Sequence, residues 1–288
     1  MTGVKRPLYL CAGLQSSGST LASWCFLQRR DMNGILDGRG DVLPEIPEDL
    51  PVPYTWAKFT ITAFRLRDMI LRYEDEGWDV HPLLIVRDVR AVFNSLIAKP
   101  YGRNGITAEE PPLRLRLLRF KEDWELFHAH RWPVISYENL IADPEGELRR
   151  TCAQLGLSWD PAMLTWPKRS QDIAFPCNGN ETFLKSRGRT CQESIQPELA
   201  RLKVDRIPSG DLAWLEREFE TYNISFGYPT RALVVGAHAE GERVVPSFQN
   251  TRRYRRLQRK NLLTWVGQFI PFVGRHWRMA YLRCNGLR

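Results

Sequence analysis

No run of 18 apolar residues occurs anywhere in the 288-residue chain, so a transmembrane helix is not expected. A secretory leader is not expected either: "MTGVKRPLYLC" enters an apolar strand within about ten residues, too abruptly for a charged segment followed by an apolar one, and the expected location is the cytoplasm. The six cysteines, Cys11, Cys25, Cys152, Cys177, Cys191 and Cys284, include no C-x-x-C pair and no metal-ligand cluster, which argues against a zinc site. They are expected to be reduced core residues, with Cys177 and Cys191 the one loop pair available for a bridge. Internal repeats and low-complexity tracts are lacking. With 43% hydrophobic residues, the composition excludes a disordered chain and suffices for one large core, or one domain with an appendage.

Acidic residues are scarce in the last part of the chain. Residues 229–288 hold 12 of the 41 Lys and Arg but only 2 of the 33 Asp and Glu. The formal net charge of +8 therefore belongs to the tail, and residues 1–228, with 29 cations against 31 acids, are close to neutral. Pro229 marks the expected boundary between a domain at 1–228 and a basic, aromatic-rich extension at 229–288.

Four short apolar runs bounded by turn residues read as buried parallel strands: "LYLCAG" (8–13), "YTWAKFT" (54–60), "PLLIVRD" (82–88) and "PVISYE" (133–138). A helical pattern follows each. "STLASWCFLQRR" opens with a Ser/Thr cap, "ITAFRLRDMILRYEDEG" ends at Gly77, and "VRAVFNSLIA" stops before Pro100. "PLRLRLLRFKEDWELFHAH" and "NLIADPEGELRRTCAQLGL" continue the alternation, and "SGDLAWLEREFETYNISFGYP" forms a late helix preceded by Ser209. Strand followed by helix, repeated, predicts a three-layer α/β fold of phosphate-loop type. A central parallel sheet of four or five strands would place its ligand at the carboxyl ends of the strands.

Between the first strand and its helix lies "GLQSSGST", Gly13 to Thr20, which fits G-x-x-x-x-G-K-[ST] except that Ser19 stands at the lysine position. A Gly/Ser loop there turns several backbone N–H groups toward one point at the positive end of the helix dipole, which makes an anion cradle. Without the lysine it serves a metal-bound triphosphate poorly, and alone it reads equally well as a polar turn. At the same sheet edge "LLIVRDVRAVFNSL" brings Arg87, with Ser95 eight residues on. Arg87 reads either as an arginine ion-paired with Asp88 or another acid, or as a fork that holds a second phosphate together with the Ser95 hydroxyl.

These residues resemble the sulfotransferases that use 3′-phosphoadenosine 5′-phosphosulfate (PAPS). Ser16, Ser17, Gly18, Ser19 and Thr20 look like the family's [KR]-S-G-[ST]-[ST] loop, which holds the 5′-phosphosulfate, with Ser16 where the family usually has Lys or Arg. "RDVRAVFNS" is similar to R-D-P-R-D-x-x-x-S, whose first Arg and last Ser bind the 3′-phosphate, which implies that role for Arg87 and Ser95. Tyr137 to Leu157 resemble the family's Y-E-[DN]-L…D-P…L-G-L segment, and "FETYNISFGYP" its closing helix, so the resemblance spans roughly residues 7–228. "FLKSRGRT" is similar to the late basic loop that covers the nucleotide, which nominates Lys185, Arg187 and Arg189; a solvated basic loop is the alternative.

The resemblance implies sulfuryl transfer from PAPS to a hydroxyl or amine acceptor, a small molecule or a glycan, by in-line attack and without a metal. A sulfuryl group in transfer carries less negative charge than a phosphoryl group, so hydrogen bonds and one or two cations suffice. Lys58 stands at the family's shared lysine position, while Ala57 and Thr60 occupy the places of its Glu or His base. Other branches take a Glu base from the loop about seventeen residues after the phosphate loop, a position that falls on Asp37 in "RRDMNGILDGRGD". Lys58 and Asp37 are thus the catalytic candidates, with a snorkelling or ion-paired lysine and an Asx-turn residue before Gly38 as the plainer alternatives.

Six cations crowd the nine residues of "RRYRRLQRK", and an aromatic-rich stretch follows. Residues 251–283 suit a membrane-surface or protein contact better than nucleic acid. Two other functions compete with sulfotransfer. A phosphate-loop kinase or hydrolase lacks its loop lysine and a clear metal-holding acid, and a non-catalytic nucleotide-binding relative would have lost the base and the loop cation.

Overall fold

In a computed structural model the chain is described at residues 5–38, 45–46, 50–61, 66–97, 113–174, 181–196 and 203–229. The Cys177–Cys191 pairing and the contact expected of residues 251–283 therefore fall wholly or partly outside the described residues.

Alternating apolar side chains decide the layering. Along β1 (Arg6–Gly13), Leu8, Leu10 and Ala12 enter one hydrophobic core, whereas Tyr9 and Cys11 enter the other. The described chain continues through α1 (Ser19–Leu27), β2 (Met32–Gly38), β3 (Tyr54–Thr60), α2 (Leu66–Asp75), β4 (Trp78–Val86), α3 (Val89–Ile97), α4 (Leu113–His130) and β5 (Val134–Ser136). Helices follow: α5 (Tyr137–Ala142), α6 (Pro144–Gln154), α7 (Ala162–Thr165), a 3₁₀ turn at Ser170–Asp172, α8 (Glu181–Ser186), α9 (Cys191–Ser194), α10 (Ser209–Glu218) and α11 (Glu220–Ser225). The five strands form one parallel sheet in the order β2-β3-β1-β4-β5. On one face pack residues of α2, α3, α4, α10 and α11; on the other pack α1 and α5 to α7. Each fully buried large apolar side chain in these layers contributes about 1.5–3 kcal/mol.

The expected three-layer α/β architecture is present, with one strand more than its four recognisable runs. β2 comes from "MNGILDG", and Asp37, expected in a loop, lies on this edge strand. β4 begins at Trp78 and ends at Val86, so Arg87 and Asp88 emerge from the sheet edge instead of belonging to it. β5 stops at Ser136 because the Ser136 hydroxyl accepts the Asn139 N–H at 3.3 Å and turns Tyr137 and Glu138 into a first helical turn. Asp143 and Pro144 then split the following helical pattern into α5 and α6, Asp143 capping at Gly146 with a 3.0 Å bond.

Two features fix the ends of α1. Its N-cap is Gly18, in the left-handed region at φ 88°, rather than Ser19 or Thr20, and no side chain caps it. At the other end Lys168 Nζ donates to the carbonyls of Leu27, Arg29 and Met32 at 2.8, 2.5 and 2.7 Å, which closes the helix onto the start of β2. Among the described residues no helix is long and apolar enough to cross a membrane.

Candidate active site

The loop that leaves β1 is folded by two left-handed residues, Ser16 at φ 68° and Gly18 at φ 88°. Ser17 N–H returns to Leu14 O at 3.1 Å, and the Ser17 hydroxyl tucks against Gly13, where a Cβ would come within 2.7 Å of Oγ. Gly18 passes so close to Tyr137 that a Cβ would stand 2.2 Å from the ring, so this position requires glycine both for its φ and for the close approach. Ser17 is 1% exposed and its Oγ has no protein partner among the described residues. A buried hydroxyl without a partner, beside a helix start that no side chain caps, is a site prepared for an oxyanion.

Arg87 closes the loop from the neighbouring strand. Its Nη1 donates to Ser16 O at 2.8 Å, and its guanidinium carbon lies 4.2 Å from the centroid of the Tyr137 ring. The arginine's backbone is held as well, since Tyr222 Oη donates to Arg87 O at 2.8 Å and accepts from Arg87 N–H at 3.2 Å. Asp88, the simplest ion-pair partner for Arg87, is instead taken by Arg90, with contacts of 2.6 and 3.0 Å between buried side chains. Glu138 organises the same corner, accepting from Asp88 N–H at 3.1 Å and from Tyr228 Oη at 2.8 Å. Ser95 sits half-buried on α3, and no hydrogen bond among the described residues joins it to Arg87 or the loop.

Lys58 and Asp37 meet at the ends of β3 and β2. Lys58 Nζ donates to Asp37 Oδ1 at 2.6 Å and to Thr60 Oγ1 at 3.3 Å. The contact depends on a bulge. Ile35 pairs with Ala57, but Gly38 pairs with Phe59, so β2 holds one extra residue, which places Asp37 opposite Lys58 instead of on Ile35's face. Thr60 pairs with Gly13, where the glycine loop begins, and the Lys58 side chain therefore runs toward the loop's root. Ala57 faces the opposite core and lies outside this group.

Residues 81–161 match the model of a family described as the sulfotransferase family. This segment resembles that family. It carries Arg87, Ser95, Tyr137 and Glu138. No curated protein matches the chain. Among solved structures, the sulfotransferase domain of the Synechococcus PCC 7002 olefin synthase is similar at 17% identity, covering 75% of this chain and 95% of that one, with a TM-score of 0.46. The sulfotransferase domain from the curacin biosynthetic pathway is similar at 14% identity over 75% and 99%, with a TM-score of 0.48. Mouse sulfotransferase SULT7A1 complexed with PAP is similar at 9% identity over 89% of each chain, with a TM-score of 0.42.

The late basic loop leans on α1, outside the matched segment. The Arg187 guanidinium carbon is 4.5 Å from the Trp24 ring centroid, and burial pushes this arginine's pKa down. Cys191 Sγ is 3.7 Å from Cys25 Sγ, both buried and both free thiols, so the described neighbour of Cys191 is Cys25. Lys185 and Arg189 are exposed, and Arg189 N–H donates to Glu193 Oε2 at 2.7 Å. Sequence reasoning passed over three residues at this corner. Tyr222 was read only as part of a closing helix, Tyr137 only as part of a motif, and Gln15 only as a spacer in the loop.

Proposed function

We propose that the chain is a PAPS-dependent sulfotransferase that moves a sulfuryl group in line to a hydroxyl or amine of a small-molecule or glycan acceptor. The observation that carries this reading is the 2.8 Å bond from Arg87 Nη1 to Ser16 O, by which the family segment and the glycine loop meet at one sheet edge. The residues present fit the nucleotide: the buried Ser17 hydroxyl has no protein partner among the described residues, and only glycine fits at position 18. When bound, PAPS would supply the sulfuryl group and leave as 3′,5′-adenosine bisphosphate.

The chain's own residues divide the remaining work. Ser16 to Thr20 hold the 5′ anionic end through backbone N–H and hydroxyl groups. Arg87 and Ser95 take the 3′-phosphate, and Arg187, with Lys185 and Arg189 beside it, adds positive charge from the late loop. Lys58 offsets negative charge where it develops. Asp37, ion-paired to Lys58 at 2.6 Å, takes the acceptor's proton. Calorimetry tests the reading: 3′,5′-adenosine bisphosphate should bind tightly without magnesium and ATP weakly. Tighter binding of ATP with magnesium would assign the loop to a kinase or hydrolase instead.

A further inference from the structure

α4 turns a buried stripe toward the sheet, made of Leu117, Phe120, Trp124 and Phe127, and two ionisable residues, Arg116 and Asp123, are buried on the same helix. Such a stripe ordinarily carries hydrocarbon, so each polar group in it requires a polar task. Asp123 has one, since its Oδ1 accepts the N–H of Leu66, the first residue of α2, at 3.3 Å. Arg116, 1% exposed, extends Nη1 to Gln15 Oε1, inside the loop between β1 and α1. One residue further, Arg87 holds the Ser16 carbonyl. Guanidinium groups from two different elements thus grip consecutive residues of the loop.

We propose that Arg116 is a positioning residue of the phosphate loop, fixing it through Gln15 and standing a permanent positive charge against a loop in which Ser16 brings none. The inference rests on the PAPS reading given above. An arginine keeps its proton in any protein environment, so burial cannot neutralise it. A cation is favoured at this position when an anion occupies the loop in front of it.

Adenosine 3′-monophosphate and 3′,5′-adenosine bisphosphate differ only in the 5′-phosphate, so the ratio of their dissociation constants reports the loop alone. The full chain would be titrated with both ligands as wild type, Arg116→Gln, Arg116→Lys and Gln15→Ala. Arg116→Gln should shrink the ratio about tenfold, the order of one lost charge-assisted contact, and leave the 3′-monophosphate within about twofold. Arg116→Lys, which keeps the charge, should restore most of the ratio, and Gln15→Ala should shrink it by less. A residue that only supports the fold would weaken both ligands alike, and that result would overturn the assignment, as would an unchanged ratio. If Arg116→Gln does not fold, by circular dichroism, Gln15→Ala decides, and an unchanged ratio there also overturns it. A wild-type chain that does not distinguish the two ligands would overturn the PAPS reading itself, which is visible before any variant is made.

Discussion

Lys58 Nζ stands 2.6 Å from Asp37 Oδ1 across two neighbouring strands, with 4% and 15% of the two side chains exposed. Taking away either member leaves the other charge largely buried, at a cost of about 3–5 kcal/mol where burial is complete. In urea unfolding, the double variant Lys58→Met/Asp37→Asn should therefore be less destabilised than the two single losses predict together. Asp37→Asn should lower turnover by about 10²-fold or more and leave bisphosphate affinity within about threefold, since a base acts on the acceptor's proton and not on the nucleotide. Undiminished turnover in Asp37→Asn would reject the base assignment.

Gly18→Ala should be among the most damaging single-methyl changes in the chain. The residue would sit at φ 88° with its new Cβ 2.2 Å from the Tyr137 ring. Left-handed geometry alone costs about 1–2 kcal/mol for alanine. Thermal unfolding should show a larger loss than that, and adding Tyr137→Ala should recover the steric share but not the conformational share. A Gly18→Ala protein of wild-type stability would mean that the loop takes another course.

Arg87→Lys tests whether this position needs a flat, forked cation. The guanidinium lies over Tyr137 at 4.2 Å while donating to Ser16 O at 2.8 Å, and one ammonium cannot fill both roles with the same geometry. Bisphosphate affinity should fall about tenfold or more in Arg87→Lys, and further in Arg87→Ala. Equal affinity of Arg87→Lys and wild type would show that only the charge matters.

Stability should fall on the alkaline side. Burial pushes the Cys11 thiol up to about 12, whereas a thiol in the unfolded chain ionises near about 8.5. Above the unfolded value the unfolded chain gives up this proton and the folded chain does not. The contribution is therefore complete below it and is lost, at about 1.4 kcal/mol per pH unit, as pH rises toward the folded value. Chemical denaturation between pH 8 and 11 should show this decline, and Cys11→Ala should make it shallower without abolishing it, because burial also pushes up the Cys25 and Cys152 thiols. A decline of the same slope in Cys11→Ala would place the titrating group elsewhere.

Local pattern made some of this architecture readable and hid the rest. β3 coincides with "YTWAKFT" because a compact run of aromatic and β-branched residues between turn signals has few other conformations that bury it. β2 escaped because "MNGILDG" contains two glycines, an Asn and an Asp, all depleted in strands, and its conformation comes from pairing with β3. Asp37 was found as a residue but not as a strand residue, and its partnership with Lys58 rests on a bulge that no sequence period announces. The first-turn hydroxyls of α1 looked like its cap, yet a left-handed Gly18 takes that position. Arg116 did leave a local sign, a cation within an apolar stripe, but its Gln15 partner is 101 residues away.

The backbone of Arg87 is clasped by the hydroxyl of Tyr222, 135 residues later in the chain. Since the ribosome adds about 5–20 residues per second, the loop and its arginine are made several seconds before the tyrosine that holds them. Until α11 has emerged and docked, a nascent chain carries the glycine loop without one of the supports that aim Arg87. The corner that aims Arg87 is therefore complete only once α11 has docked, although the loop it holds was translated long before.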